Sequence, residues 1–403
     1  MTTPASTIAI SDVNTEIGYP STHQTSMGDP SVRYLYGQSS VNNSAQIDMA
    51  GLRSTTIGRS WLSATTNSTI NRNFPNTSYQ TTWENDTISP SGLIINNSVG
   101  VWPQGLGIIY WFGGYWAMFT DNTIRTSLNG ETWSSSGIPL PGSNTVSSIT
   151  FAGTLNGYLV LTDSSGNLFY SVNGLSYTST TVTTDTLSNG ISCVTWGSVA
   201  GNNYWVATGY DLTTGGITFW ILNSNGAPSG TWTKAATIAT YSGQQFFQVG
   251  SMYIWNQQLV YSINCIFNTV YPKVLFRDTS GSSWENLIDF SSAQTGSSSG
   301  TNGNGIKVYA SIYGGVYALF SGACFSPGGL YYTQSTTLSS GSYSSQWTKA
   351  TLSIAPYWLG GSSGFVFVNN TTDVAVSSAI GTFLDYAVHT NNSAVTFASP
   401  VIY

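Results

Sequence analysis

One short motif recurs along the last three quarters of the chain, and it constrains the fold more than any other feature. In each copy a β-rich segment reaches a turn with Asn or Gly, and a polar stretch then leads to an aromatic residue. The two clearest copies are residues 127–133, which read SLNGETW, and residues 171–177, which read SVNGLSY. The recurring aromatics are Trp133, Tyr177, Trp232, Trp284 and Trp347, with spacings of 44, 55, 52 and 63 residues.

A repeat of this length, made of short strands, indicates one four-stranded blade of a β-propeller. Segments rich in Val, Ile, Thr and aromatics lie between the motif copies and are bounded by Gly, Asn and Asp, as strands are. We therefore expect an all-β protein, a β-propeller of six four-stranded blades, with seven blades as the alternative. We expect an N-terminal arm over residues 1–55, a linker or partial blade over 56–100 and the propeller over 101–403.

The composition excludes several classes of function. Charged residues make up 6% of the chain and aromatics 14%, whereas about 25% of residues are charged in an ordinary globular protein. The solvent face must then consist largely of Ser, Thr and Asn. With 10 Lys and Arg residues and a net charge of −6, the chain cannot form a basic patch, so we expect no nucleic-acid partner. Polar residues interrupt every apolar run, so we expect no membrane insertion.

The chain has few of the cysteine and histidine residues that metal sites and disulfides need. The three cysteines, Cys193, Cys265 and Cys324, are far apart and odd in number, which favours buried, reduced thiols over a disulfide framework. With His23 and His389 as the only histidines, a Cys/His metal site is not indicated. We expect no metal and no cofactor.

The recurring motif has a local structural explanation. An Asn side chain accepts hydrogen bonds from the backbone of its own turn, Gly adopts positive φ, and the aromatic packs between blades. This pattern resembles the Asp box of sialidase-like propellers, Ser-x-Asp-x-Gly-x-Thr-Trp, with Asn in place of Asp and a loop one residue shorter. In that superfamily the box lies on the blade edge, away from the active site, so the resemblance implies a structural role. The residues to which we assign this role are Asn129, Trp133, Asn173, Trp232, Trp284 and Trp347.

Catalytic residues cannot be nominated from the sequence. Sialidases need an arginine cluster, but beyond residue 60 the chain has only Arg72, Arg125 and Arg277. Other glycosidases need two carboxyl groups about 5–10 Å apart, and the spacing of the propeller carboxylates selects no pair. The carboxylates considered are Asp121, Asp163, Asp211, Asp289, Asp373 and Asp385. Asp121 and Asp163 follow second strands, where we expect them to cap turns.

Residues 8–54 resemble a short N-terminal module of tailed-phage virion proteins. The matching text is IAISDVNTEIGYPSTHQTSMGDPSVRYLYG, followed by QIDMAGLRS. The matching positions are Ser11, Asp12, Asn14, Glu16, Gly18, Asp29, Val32, Arg33, Leu35, Gly37 and Arg53. The resemblance implies a tail, baseplate or fibre protein that docks on other virion tail proteins through this arm. The N-terminus also lacks the pattern of a secretory signal, which agrees with assembly in the host cytoplasm.

Binding without catalysis is the function that these features favour. Aromatic faces stack on sugars, and Asn, Ser and Thr supply neutral hydrogen bonds. The tryptophans that the motif does not explain are candidates for glycan contact, with core packing as the competing interpretation; they are Trp102, Trp111, Trp205, Trp255 and Trp358. We expect an oligomeric virion tail protein whose propeller binds a host-surface glycan. The alternatives are a polysaccharide-degrading enzyme on the same scaffold and a purely structural decoration protein.

Overall fold

The structure is a computed structural model. It describes residues 9–11, 61–64, 69–73, 84–87, 109–112, 115–120, 123–127, 133–144, 148–239, 246–265, 273–277, 283–290, 306–311, 315–320, 329–352, 358–362, 365–369, 373–379, 382–387 and 396–398. Of the arm residues assigned to virion docking, Ser11 is described, whereas Asp12, Asn14, Glu16, Gly18, Asp29, Arg33 and Gly37 lie outside these ranges. Within the described ranges, no helix has the length and apolar character needed to cross a membrane.

The strands in the described ranges form seven sheets, which we call blades. The closing blade joins the two ends of the chain and consists of β1 (Trp61–Ala64), β2 (Thr69–Asn73), β3 (Glu84–Thr87) and β29 (Thr396–Ala398). Blade 1 consists of β4 (Ile109–Phe112), β5 (Tyr115–Thr120), β6 (Thr123–Ser127) and β7 (Ile138–Pro139). Blade 2 consists of β8 (Ile149–Leu155), β9 (Tyr158–Asp163), β10 (Asn167–Ser171) and β11 (Thr178–Thr181). Blade 3 consists of β12 (Leu187–Val199), β13 (Asn202–Asp211), β14 (Gly216–Asn223) and β15 (Thr233–Ala239).

The remaining blades follow in chain order. Blade 4 consists of β16 (Phe246–Trp255), β17 (Gln258–Cys265), β18 (Lys273–Arg277) and β19 (Asn286–Asp289), with β23 (Gly341–Ser342) as a fifth, parallel strand. Blade 5 consists of β20 (Ile306–Ser311), β21 (Gly315–Phe320), β22 (Gly329–Thr333) and β24 (Thr348–Lys349). Blade 6 consists of β25 (Trp358–Ser362), β26 (Phe365–Asn369), β27 (Asp373–Ala379) and β28 (Thr382–Ala387). Two single 3₁₀ turns, Pro141–Ser143 and Tyr343–Ser345, lie between strands.

The strands at the inner edges of successive blades close a ring. Each packs against the inner strand of the next blade, from β4 through β8, β12, β16, β20 and β25 to β29, and β29 contacts β4 again. Closed radial repetition of antiparallel four-stranded sheets defines a β-propeller. The all-β propeller expected from the sequence is therefore the fold of this chain.

The closing blade bears on the number of sheets and on the segment 56–100, which was expected to be a linker or partial blade. The described strands form seven sheets rather than six, which is the alternative given by the sequence. Strand β1 pairs with the C-terminal strand β29, with Ser63 opposite Phe397. Strands β1, β2 and β3 therefore share a sheet with β29, and they lie in the segment 56–100 that was expected to be a linker or partial blade. Pairing between opposite ends of the chain leaves no local signal, because neither segment is a complete blade by itself.

The core lies between the blades. Strand β21 is buried along its whole length and β9 over all but its first residue, because each second strand has a neighbouring blade on both faces. Small polar groups join adjacent blades near the ring. The Thr162 hydroxyl donates to the Ile191 carbonyl at 3.1 Å, and the Ser251 hydroxyl accepts from the Val308 amide at 2.5 Å. These bonds satisfy backbone groups where neighbouring blades diverge.

Cys193 lies buried at one of these junctions. Its sulfur is a reduced thiol and donates to the Val249 carbonyl in the next blade, at 3.4 Å. This agrees with the buried, reduced thiol expected from the sequence. The side chains of Cys265 and Cys324 lie outside the described residues.

Candidate functional site

The propeller has two ends that differ in their loops. In an antiparallel meander, alternate connections lie at the same end. The end that we call the motif face therefore carries the strand 1–2 hairpins and the motif loops between strands 3 and 4. The opposite end, the turn face, carries the strand 2–3 turns, such as 163–167 and 211–216, and the linkers between blades, such as 182–186.

The motif of blade 2 forms the turn that the sequence predicts. The Asn173 Oδ1 atom accepts from the backbone N–H groups of Leu175 and Ser176, at 2.9 and 3.0 Å. Gly174 has a φ of 70°, a conformation that favours glycine. Tyr177 packs against the blade 1–2 core cluster, and burial raises the pKa of its hydroxyl. The equivalent Asn129 lies outside the described residues.

The motif tryptophans occupy core positions. Trp133, Trp232 and Trp347 are 3%, 8% and 4% exposed, as a packing role requires. Trp284 is half-buried and its ring centroid lies 5.0 Å from that of Phe219 in the preceding blade. These contacts explain why the motif needs a large aromatic at this point.

The structure separates the glycan candidates into different environments. Trp205 is completely buried, and its indole N–H donates to the Gly226 carbonyl at 2.9 Å. It therefore cannot stack on a sugar, which corrects the assignment made for it from the sequence. Trp255 is half-buried, and its N–H donates to the Ser335 carbonyl at 3.0 Å. Trp111 and Trp358 lie on strands whose side chains are not among the described groups, and Trp102 lies outside the described residues.

Arginine side chains serve packing and loop contacts. Arg125 donates to the carbonyl of Ser134 at 3.1 Å and also to that of Ser135. The Arg277 guanidinium lies 4.8 Å from the centroid of the Trp284 ring, in cation–π geometry. Each of these two arginines therefore contacts groups of its own blade.

Buried carboxylates on the turn face cap their own turns. Asp163 Oδ1 accepts from the amides of Ser165 and Asn167, both at 2.9 Å. Asp211 holds the equivalent position in blade 3, where its Oδ1 accepts from the Thr213 amide at 2.9 Å. The turn-capping role expected for Asp163 is thus present in the structure.

A second set of contacts makes Asp211 the centre of a charged cluster. The Lys234 Nζ atom lies 2.9 Å from Asp211 Oδ2 and 2.9 Å from Asp185 Oδ2. The Asp211 side chain is 0% exposed, whereas those of Lys234 and Asp185 are 40% and 32% exposed. We call these three residues the charged cluster. The charged cluster is not predictable from the sequence, because only the register of blade 3 and the preceding linker bring its members together.

The two partners shift each other's pKa in opposite directions. Burial alone would raise the pKa of the Asp211 carboxyl, but hydrogen bonds from Lys234, Thr213 and Thr214, with the lysine charge, hold it below its usual value. Hydrogen bonds to Asp185 and Asp211 raise the pKa of the Lys234 ammonium. Asp211 and Lys234 are therefore both ionised at neutral pH. Among the described residues, no group of three His, Cys, Asp or Glu side chains is arranged to hold a metal ion.

Comparison with known proteins gives only distant likenesses. No protein-family model and no curated protein matches the chain. The chain is similar to the solved structure of YCF48 from Cyanidioschyzon merolae, with a TM-score of 0.42 and 13% identity over 82% of this chain and 96% of the other. It is also similar to BamB from Moraxella catarrhalis, with a TM-score of 0.39 and 12% identity over 71% of this chain and 76% of the other. The propeller assignment rests on the strand pairing described above.

Proposed function

We propose that this chain is a phage tail protein, fibre- or baseplate-associated, whose propeller binds a host-surface glycan without cleaving it. The N-terminal arm would attach it to other tail proteins, through the positions that resemble the virion module. The observation that carries the non-catalytic part is the ionic bridge that Lys234 forms between two carboxylates.

The two carboxylates that Lys234 bridges are separated by a distance that would otherwise favour glycoside cleavage. Because both Oδ2 atoms lie 2.9 Å from the same Nζ, they are at most about 6 Å apart, close to the separation found in retaining glycosidases. Cleavage by such a pair needs one carboxyl group that keeps its proton as a general acid. Lys234 instead lowers the pKa of Asp211, and the buried Asp211 carboxylate already accepts from Thr213 and Thr214. The cluster therefore favours holding a ligand over protonating one.

The rest of the surface supports the same proposal. With charged residues at 6% of the chain, the propeller presents mostly hydroxyl and amide groups, which suit neutral hydrogen bonding to sugars. Exposed turns carry such groups. The backbone carbonyls of Asn225 and Gly226, for example, accept hydrogen bonds from the side-chain amide of Asn156 in the neighbouring blade.

Binding of the labelled full chain to intact cells of a bacterial strain panel tests the proposal. We expect saturable binding to some strains, and competition by the purified surface polysaccharide of those strains. A variant lacking residues 1–55 is the matched control, and it should bind equally well because the arm serves the particle rather than the ligand. Absence of binding to every strain would contradict the proposal and favour the structural decoration role.

A further inference from the structure

We propose that Asp185 and Lys234, together with the exposed Leu212, form a binding point on the turn face for two adjacent hydroxyl groups of a neutral sugar. This inference rests on the proposed function and deepens it, because it names the site and the ligand chemistry. The three residues come from different segments, namely the linker after β11, the outer strand β15 and the turn after β13.

A backbone contact brings the three segments together. The Leu212 amide donates to the Thr186 carbonyl at 2.9 Å, which holds the turn of blade 3 against the linker that carries Asp185. Lys234 then reaches from the outer strand to both carboxylates. Asp211 is fully buried and accepts from Thr213, Thr214 and Lys234, so it anchors the ammonium and presents no free surface itself.

The exposed part of the charged cluster has unused hydrogen-bonding capacity. An ammonium group has three N–H donors, and Lys234 directs two of them to Asp185 and Asp211. Asp185 uses Oδ2 for Lys234. Within the part of the chain that the structure describes, the third N–H of Lys234 and the Oδ1 atom of Asp185 have no partner. A charged donor and a charged acceptor therefore stand side by side at the surface.

This arrangement fits a pair of sugar hydroxyls. One hydroxyl accepts from Lys234 while its neighbour donates to Asp185, and hydrogen bonds to charged groups are the stronger kind. The ion pair is held in place before binding, so little side-chain entropy is lost. Leu212 is 54% exposed and offers an apolar contact for the C–H face of the ring. With two carboxylates and one ammonium, the cluster repels an anionic sugar, so the ligand is neutral.

Blade 5 provides a matched control within the same chain. Residues 232–234 and residues 347–349 both read WTK, so Lys349 holds the motif position that corresponds to Lys234. Lys349 instead lies 6.0 Å from the centroid of the Tyr331 ring, and among the described residues it has no carboxylate partner. Removing Lys349 therefore changes the charge and the motif in the same way as removing Lys234, but it leaves the proposed site unchanged.

The test uses the full chain and saturation-transfer NMR with three neutral probes, methyl α-glucopyranoside, methyl β-galactopyranoside and methyl α-mannopyranoside, and with glucuronate as the anionic comparison. We expect the wild-type chain to bind at least one neutral glycoside and to bind glucuronate more weakly. Asp185→Asn and Lys234→Met should each weaken binding at least about tenfold, as loss of a charge-assisted hydrogen bond implies. Lys349→Met should bind like the wild type.

If Lys234→Met does not fold, Asp185→Asn alone tests the proposed binding site, because the partly exposed Asp185 can lose its charge without leaving a buried group unpaired. Thermal melting followed by circular dichroism establishes that each variant is folded. A folded Asp185→Asn protein with wild-type affinity would overturn the site. Binding of the wild type to cells but to none of the neutral glycosides would overturn it too, yet leave the proposed function standing. Binding to neither would contradict both.

Discussion

Replacement of Trp205 by Phe should destabilise the propeller without affecting ligand binding. Trp205 is completely buried on β13, and its ring centroid lies 6.3 Å from that of Tyr158 in blade 2. Its indole N–H donates to the Gly226 carbonyl in the motif loop. One side chain therefore joins the core between two blades to a loop at the motif face.

The expected magnitude follows from two losses. The hydrogen bond contributes about 1 kcal/mol, and the Gly226 carbonyl keeps its second donor, the Asn156 side-chain amide. The smaller ring leaves a void of roughly 40 Å³, which costs about 1 kcal/mol because each Å³ of cavity costs about 24 cal/mol. We therefore expect Trp205→Phe to lower the free energy of unfolding by about 2 kcal/mol, and Trp205→Ala by more than about 3 kcal/mol.

Urea unfolding followed by far-ultraviolet circular dichroism measures this effect, because the chain has 14 tryptophans and their fluorescence would mix many sites. The midpoint should fall while the slope with urea stays constant. Val172→Ala is the control, since Val172 is 68% exposed and should change stability by less than about 0.5 kcal/mol. A stable Trp205→Phe protein that loses glycan binding would refute the burial argument.

Three further outcomes are expected. In urea unfolding, Asn173→Ala should cost about 1 kcal/mol, as loss of a cap does, whereas Asn173→Asp keeps the acceptor and should cost little. In thermal melting, Gly190→Ala should be far more damaging than Gly201→Ala, because both have positive φ but only the first places Cβ within 2.6 Å of backbone atoms. Lys234→Met should cost about 1–2 kcal/mol at neutral pH, since the lysine is 40% exposed. Because folding lowers the Asp211 pKa and raises the Lys234 pKa, the melting difference from the wild type should shrink below about pH 4 and above about pH 10.5.

Features that depend on a few neighbouring residues were predictable from the sequence. The Asn173 turn is of this kind, because its acceptor, its glycine and its bonded amides lie within four residues. The capping role of Asp163 is local in the same way. Such geometry follows from side-chain reach and backbone conformation alone.

Features that depend on distant pairing were not predictable in the same way. The closing blade needs β1 to pair with β29, and the sequence of neither segment indicates which strand it pairs with. Trp205 lacks the motif context that marks Trp232 as a packing residue, so only the register of β13 shows that Trp205 packs in the same core cluster. The charged cluster needs a linker, a turn and an outer strand whose pairing contains a bulge, so its sequence spacing carries no information.

Binding and product analysis on one sample distinguishes glycan binding from glycan cleavage. The full chain would be mixed with surface polysaccharide from a strain that it binds, and the bound and free fractions would be measured beside the polysaccharide mass distribution. We predict saturable binding with an unchanged mass distribution after prolonged incubation. Progressively shorter polysaccharide would contradict it and identify the propeller as a glycan-cleaving enzyme.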